Sequence, residues 1–348
     1  MKKFFFSMVA LMVVAVSFAQ NTLVATLSHG DAVKMFFGPS ALINANDEAE
    51  NGDVITLSGG TFACPYFTKG ITIRGTGINA ENPTTIGYVE RVDKHYTINI
   101  PQSGNYRFSL EGCIVDLYLI NSGNNLSVLG ESSNIYFLKC KFKQAITYTS
   151  SGSANFVNCD IQGIELSGSG NVKLTNCYLL NFTNDINATS KAEFFNCLLR
   201  ARNIDYNRST LVNCVLFQGY NISFLPAEAM AMNCIAVTTA SAELFKIFPE
   251  TSIDCHNATV PQIFKTYKEV IYDSRYNLRY DVPTEPYELT DEAKTKYLGT
   301  DGKEIGLYGG QYPFNLTPNY PRITKLNVAK QTTADNKLSV DIEVSATE

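Results

Sequence analysis

Phe156-Val157-Asn158-Cys159, Leu174-Thr175-Asn176-Cys177, Phe194-Phe195-Asn196-Cys197 and Leu211-Val212-Asn213-Cys214 are four copies of one short phrase. In each, an apolar residue and its neighbour run into Asn-Cys. Phe137-Leu138-Lys139-Cys140 and Ala231-Met232-Asn233-Cys234 flank them as looser copies. From Cys140 to Cys234 the successive cysteines stand 19, 18, 20, 17 and 20 residues apart, and Cys113 and Cys255 extend the series with degenerate flanks. A period near twenty marks a stacked solenoid, in which no single repeat buries its own apolar face.

Within each repeat the positions five and three before Cys are apolar or small, as at Ala154 and Phe156 or Val172 and Leu174. Cys itself and the residue two after it are apolar again, as at Cys177 and Leu179 or Cys214 and Leu216. Both runs alternate with period two, which predicts strands. The phase breaks at Asn, a residue that tolerates the left-handed backbone conformation, so a bend there swings the chain from one sheet to the next. The spacers between copies, such as Thr149-Ser150-Ser151-Gly152-Ser153 and Ser167-Gly168-Ser169-Gly170-Asn171, favour turns over helix. The pattern resembles right-handed parallel β-helices of the pectate-lyase type, which stack Asn side chains in a two-residue turn. On that resemblance Asn158, Asn176, Asn196, Asn213 and Asn233 form a ladder, from which Lys139 departs. A leucine-rich repeat would need leucine eight residues before each Cys, where Ser151, Ser169 and Thr189 stand.

The ends agree with this reading. Ser40 can cap a helix with Leu42, Ala45 and Ala49 on one face, a cover for the open end of a solenoid. Ser58 to Phe62 and Gly70 to Gly75 follow as first rungs, and Gly299 to Gly310 resembles the closing turn of secreted β-helix proteins. The resemblance spans residues 22–316 and is to secreted β-helix proteins of Gram-negative gut bacteria. It implies a fold and a compartment, not a reaction. The expected class is therefore all-β: a right-handed parallel β-helix solenoid with an N-terminal capping helix and a C-terminal β-hairpin. That hairpin is Arg322 to Val328 and Lys337 to Val344, in which Leu338, Val340, Ile342 and Val344 alternate with polar residues. A lone hairpin is marginal in water, so it must dock on its own solenoid, the expected outcome, or pair with another chain.

Lys2 and Lys3, an apolar run from Phe4 to Val16 and Ser17-Phe18-Ala19 have the form of a signal peptide over residues 1–19. The expected organisation is thus signal peptide (1–19), β-helix with caps (20–317) and hairpin extension (318–348), exported to periplasm, cell surface or medium. Loss of Lys2 and Lys3 takes the formal charge from −5 to −7. That acidity speaks against nucleic acid or polybasic membrane binding, and no later run is long enough to span a membrane. The nine cysteines are odd in number. Stacked on parallel rungs about 4.8 Å apart they approach poorly for bridges, so they read as small buried apolar residues rather than disulfides or metal ligands.

On the strand after each bend the outward positions are Lys141, Lys143, Asp160 and Gln162, then Tyr178, Leu180, Leu198, Arg200, Val215, Phe217, Ile235 and Val237. An apolar strip of that length wants a cover. The segment from Pro261 to Tyr287, with Ile263, Phe264, Tyr267, Val270, Ile271 and Tyr272, is the expected one. Catalytic signals are thin. Lyases of the resembled type hold calcium with an Asp cluster beside a basic residue that removes a proton. Here Asp185 and Asp205 share a phase eight residues after their Cys, Asp160 sits at another, and Arg200 or Arg202 could supply the base. The acidic motifs of polygalacturonase-type hydrolases do not occur, and His29-Gly30-Asp31 lies before the capping helix, off the parallel sheets. The leading expectation is a non-catalytic exported protein without cofactor that binds polysaccharide, or contacts another envelope protein, with tyrosines available for stacking on sugars. A calcium-dependent polysaccharide lyase using Asp185, Asp205, Arg200 and Arg202 is the alternative.

Overall fold

The computed structural model of the chain describes residues 23–87, 96–100, 106–117, 126–132, 134–185, 189–201, 208–218, 229–238, 248–266, 287–328 and 340–345. The expected signal segment, Arg202 and Asp205 lie outside the described residues. The chain is nearly all β and forms a parallel β-solenoid of two long sheets, one 11-stranded and one 13-stranded.

The strands ahead of the bends stack in the first sheet: Ile135–Leu138, Ser153–Val157, Asn171–Thr175, Lys191–Phe195, Ser209–Val212 and Met230–Met232. Each residue sits over its counterpart in the repeat, so Phe137, Phe156, Leu174, Phe194, Leu211 and Ala231 form one continuous buried column. The strands after the bends build the second sheet and supply the facing wall, with Phe142, Ile161, Leu179, Leu199, Leu216 and Ala236. The two walls interlock through edge-to-face contacts such as Phe137–Phe142, 5.1 Å between centroids at 87°. Parallel register is what converts a sequence period into a column. A one-residue slip would turn every inward side chain out.

At the corner between sheets every expected Asn is left-handed, with φ of 53° at Asn158, 48° at Asn176, 51° at Asn196, 56° at Asn213 and 51° at Asn233. Lys139 takes the same conformation, as do Gly112 and Asp254 on the flanking rungs. The bend geometry thus outlasts the Asn, because Gly adopts it without strain and Asp resembles Asn in tolerating it. The residue after each bend is the cysteine. All nine cysteines are free, and those from Cys113 to Cys234 are buried. Each thiol in the column lies within donating distance of the carbonyl two residues back, as at Cys177 to Thr175, 3.3 Å, and Cys234 to Met232, 3.2 Å. The thiol therefore satisfies a carbonyl at the bend while filling the corner as an apolar group. Burial pushes the Cys64 thiol up to about 12 and raises Cys140, Cys177, Cys214 and Cys234 well above the ordinary range, which keeps them protonated.

The N-terminal end departs from parallel order. Val24–His29 and Ala32–Phe37 form an antiparallel hairpin, and Val24–His29 also runs antiparallel to Val54–Leu57. His29-Gly30-Asp31 is the turn of that hairpin, with Gly30 at φ 55°, and His29 lies 2.7 Å from Asp53. Helix α1 (Ala41–Glu48) packs against these strands through Ala41, Leu42 and Ala45, with Ala49 buried just beyond it. The side chain of Ser40, expected to cap α1, makes no capping hydrogen bond. At the other end Arg322–Val328 and Val340–Ser345 form the expected hairpin, pairing Ile323 with Val344 and Val328 with Val340. Among the described residues its strands pair only with each other, and Val344 is exposed. The described residues contain no helix long and apolar enough to cross a membrane.

Thiols buried in the core are out of reach of alkylating and disulfide reagents. In the folded protein only the half-buried Cys255 should label promptly, and all nine should label in guanidinium. A thiol count by mass spectrometry before and after unfolding checks this. Rapid labelling of several column cysteines in the native state would contradict the packing.

Candidate functional site: a strap over the bend column

The outward face of the second sheet starts polar. Lys141 Nζ lies 3.2 Å from Asp160 on the next rung, and Lys143 pairs with Asp116 at 2.7 Å. It then turns apolar, and the expected cover is present. Tyr178, Leu198, Val215, Ile235 and Val237 are buried in one cluster with Ile263, Phe264 and Tyr287. Tyr267, Val270, Ile271 and Tyr272 lie outside the described residues. The cover also extends beyond the expected segment, through Leu289, Ala293, Ile305 and Leu307. Short helices α2 (Val260–Ile263) and α3 (Asp291–Lys296) carry part of it. Helix α3 is capped by the Thr290 hydroxyl, which accepts from Ala293 N at 3.1 Å. Thr-Asp-Glu ahead of Ala293 was a readable helix start that sequence reasoning passed over.

From Leu298 onward the chain runs back along the corner of the solenoid as a strap. It meets the bend residues in reverse order. Asn233 Nδ2 donates to Leu298 O at 3.0 Å, and Asn213 Oδ1 accepts from Thr300 N at 3.0 Å. Asn176 Nδ2 donates to both Leu307 O (2.7 Å) and Gly309 O (2.8 Å). Asn158 Oδ1 accepts from Asn315 N at 3.0 Å. Lys139 Nζ donates to Thr317 O and to Asn319 Oδ1. Tyr320 Oη finally donates to Gly75 O at 2.6 Å. The amides at these four bends thus bond the strap. Lys139 occupies the rung where a longer side chain reaches the strap. Gly309 and Gly310 pass over Asn196 so closely that an added Cβ on either would sit 2.8 Å from its amide atoms.

Of the candidate lyase residues, Arg200 and Asp185 are among those described. Arg200 is 5 % exposed, and its Nη1 donates to the Tyr287 hydroxyl at 2.8 Å beneath the cover. Burial raises the Tyr178 hydroxyl, which stacks on Tyr287 and feels the opposing charge of Arg200. Asp185 is exposed in the turn that follows Phe182–Asn184. Arg202 and Asp205 lie outside the described residues. Among the described residues no group of three or more His, Cys, Asp or Glu is placed to hold a metal ion. Two recesses mark the ends of the strap. One of about 240 Å³ is lined by Arg74, Glu111, Lys139, Asn319 and Tyr320, with Arg74 bonded to Glu111 at 3.1 Å and lying over the Tyr320 ring. The other, about 220 Å³, lies among Asp254, His256, Lys296 and Tyr297. No protein-family model matches the chain, and the search of the curated proteins returns no match.

Asn176→Gly removes both strap bonds while keeping a residue at ease with φ near 48°. It should cost about 1–3 kcal/mol, the penalty for leaving buried carbonyls unpaired. Urea unfolding measures the loss, and hydrogen exchange should quicken around residues 307–310 before any change in the rungs.

Proposed function

We propose that the protein is an exported, non-catalytic β-solenoid scaffold that binds polysaccharide, with the outer face of the first sheet as its contact surface. One observation carries this reading: the chain's own strap and cover occupy the bend column and the later rungs of the second sheet. A groove filled in this way holds Arg200 against Tyr287 instead of presenting it to substrate. The outer face of the first sheet has no such cover among the described residues. It repeats one column of half-buried Leu138, Val157, Thr175, Phe195, Val212 and Met232, and another of Tyr136, Asn155, Lys173, Glu193, Thr210 and Met230. Rungs about 4.8 Å apart set a regular spacing suited to a polymer. Export rests on the signal-like residues 1–19. A contact with another envelope protein at the same face is the companion reading. The lyase alternative would need Asp185, Asp205 and calcium to converge beside an exposed Arg200 or Arg202.

Incubation with a panel of acidic and neutral polysaccharides, with and without calcium, should leave every polymer intact by mass spectrometry. At least one should retard the protein in affinity electrophoresis, and Phe195→Ser with Lys173→Glu should abolish that retardation. Unsaturated oligosaccharides appearing only with calcium would replace this reading with the lyase. Retardation by no polymer would remove the glycan and leave the protein contact.

A further inference from the structure

Among the described residues, the first sheet opens on a strand that is unmet in two ways. Ala32–Phe37 pairs on one side with Val24–His29, His29 opposite Ala32 across the two-residue turn. Gly38 N donates to Leu23 O at 2.9 Å, so on this strand the even-numbered residues bond inward. Antiparallel alternation then directs the N–H and C=O groups of Val33, Met35 and Phe37 to the open edge. The side chains of the same three residues are large, apolar and exposed, at 62 %, 58 % and 61 %. On the opposite face Lys34 pairs with Glu48 of α1, and Phe36 packs against the core. An apolar row on an open edge is the feature that soluble sheets normally blunt with charge, proline or a covering element.

We propose that Ala32–Phe37 pairs antiparallel with the same strand of a second copy, joining two solenoids end to end. The strand is self-complementary about Met35. A two-fold axis through Met35 sets Val33 opposite Phe37 of the other copy and Lys34 opposite Phe36, an aliphatic–aromatic pair and a cation–ring pair. Lys34 already lies 5.2 Å from the Phe36 ring within its own strand. Moving the axis to Lys34 would oppose two like charges, and moving it to Phe36 would bring Pro39, which has no N–H, opposite Val33. The Met35 register avoids both. It satisfies the outward backbone groups of Val33, Met35 and Phe37, buries the exposed row, and merges two 11-stranded sheets into one. The contact is isologous and closes on itself, so it stops at a dimer.

Sedimentation velocity of the purified protein should show a dimer. Met35→Lys should weaken it at least about tenfold, or ~1.4 kcal/mol, with thermal unfolding of the monomer unchanged because that side chain is exposed. Met35→Cys should form an intermolecular disulfide under mild oxidation, since paired Cα atoms about 5.5 Å apart lie in bridging range. Val33→Cys, which faces Phe37 of the other copy, should not. A wild-type monomer, a dimer unaffected by Met35→Lys, or equal cross-linking of both cysteine variants would each overturn the proposal. So would growth beyond the dimer, which would instead indicate head-to-tail pairing, with the C-terminal hairpin of a neighbour as the partner strand.

Discussion

The left-handed bend ahead of each cysteine is the constraint on which the rest of the structure depends. At that one residue the chain leaves the first sheet and enters the second, and the corner repeats rung after rung from Gly112 to Asp254. A residue with a branched or bulky side chain would resist that conformation by about 1–2 kcal/mol. The bend also leaves carbonyls at a crowded corner, where only a small side chain fits. Cysteine answers both needs, being apolar enough to bury and able to donate weakly to the carbonyl two residues back.

The same corner explains the C-terminal half. Bend residues carry side chains that point away from the core, and a column of amides is a column of unmet donors and acceptors. The strap from Leu298 to Tyr320 answers it with backbone groups, meeting Asn233 first and Lys139 near its end. Its contacts are mainly polar along the corner and apolar over the second sheet, where Leu289, Ile305 and Leu307 join Ile263 and Phe264. Together they cover the bend column and the later rungs of the second sheet.

Legibility in the sequence followed the range of the interaction. The cysteine spacing, the alternation on either side and the Asn phase break were local and periodic, and they led to the strands, the two sheets and the left-handed corner. Leu42, Ala45 and Ala49 marked α1 by helical spacing, and the strand Val340–Ser345 was readable by the alternation of Val340, Ile342 and Val344. The N-terminal hairpin was missed because its apolar residues, Val33, Met35 and Phe37, belong to an exposed edge and match no repeat. The strap was missed because its residues follow no period, and they are defined by what they touch. Asp185 and Arg200 could be assigned a phase, but not a shared environment.

By itself, the sequence determined that repeats of about twenty residues stack, which residues face inward, and where each rung turns. These follow from side-chain period and backbone conformation, which act within one rung and are copied to the next. Only the tertiary structure decided that the bend amides bind a strap and that Arg200 lies beneath Tyr287. It alone also showed that Ala32–Phe37 ends the first sheet among the described residues. Those outcomes join segments separated by as many as 245 residues, as in Tyr320 with Gly75. Contact between such segments depends on where the completed solenoid places its corner, and no local pattern encodes that.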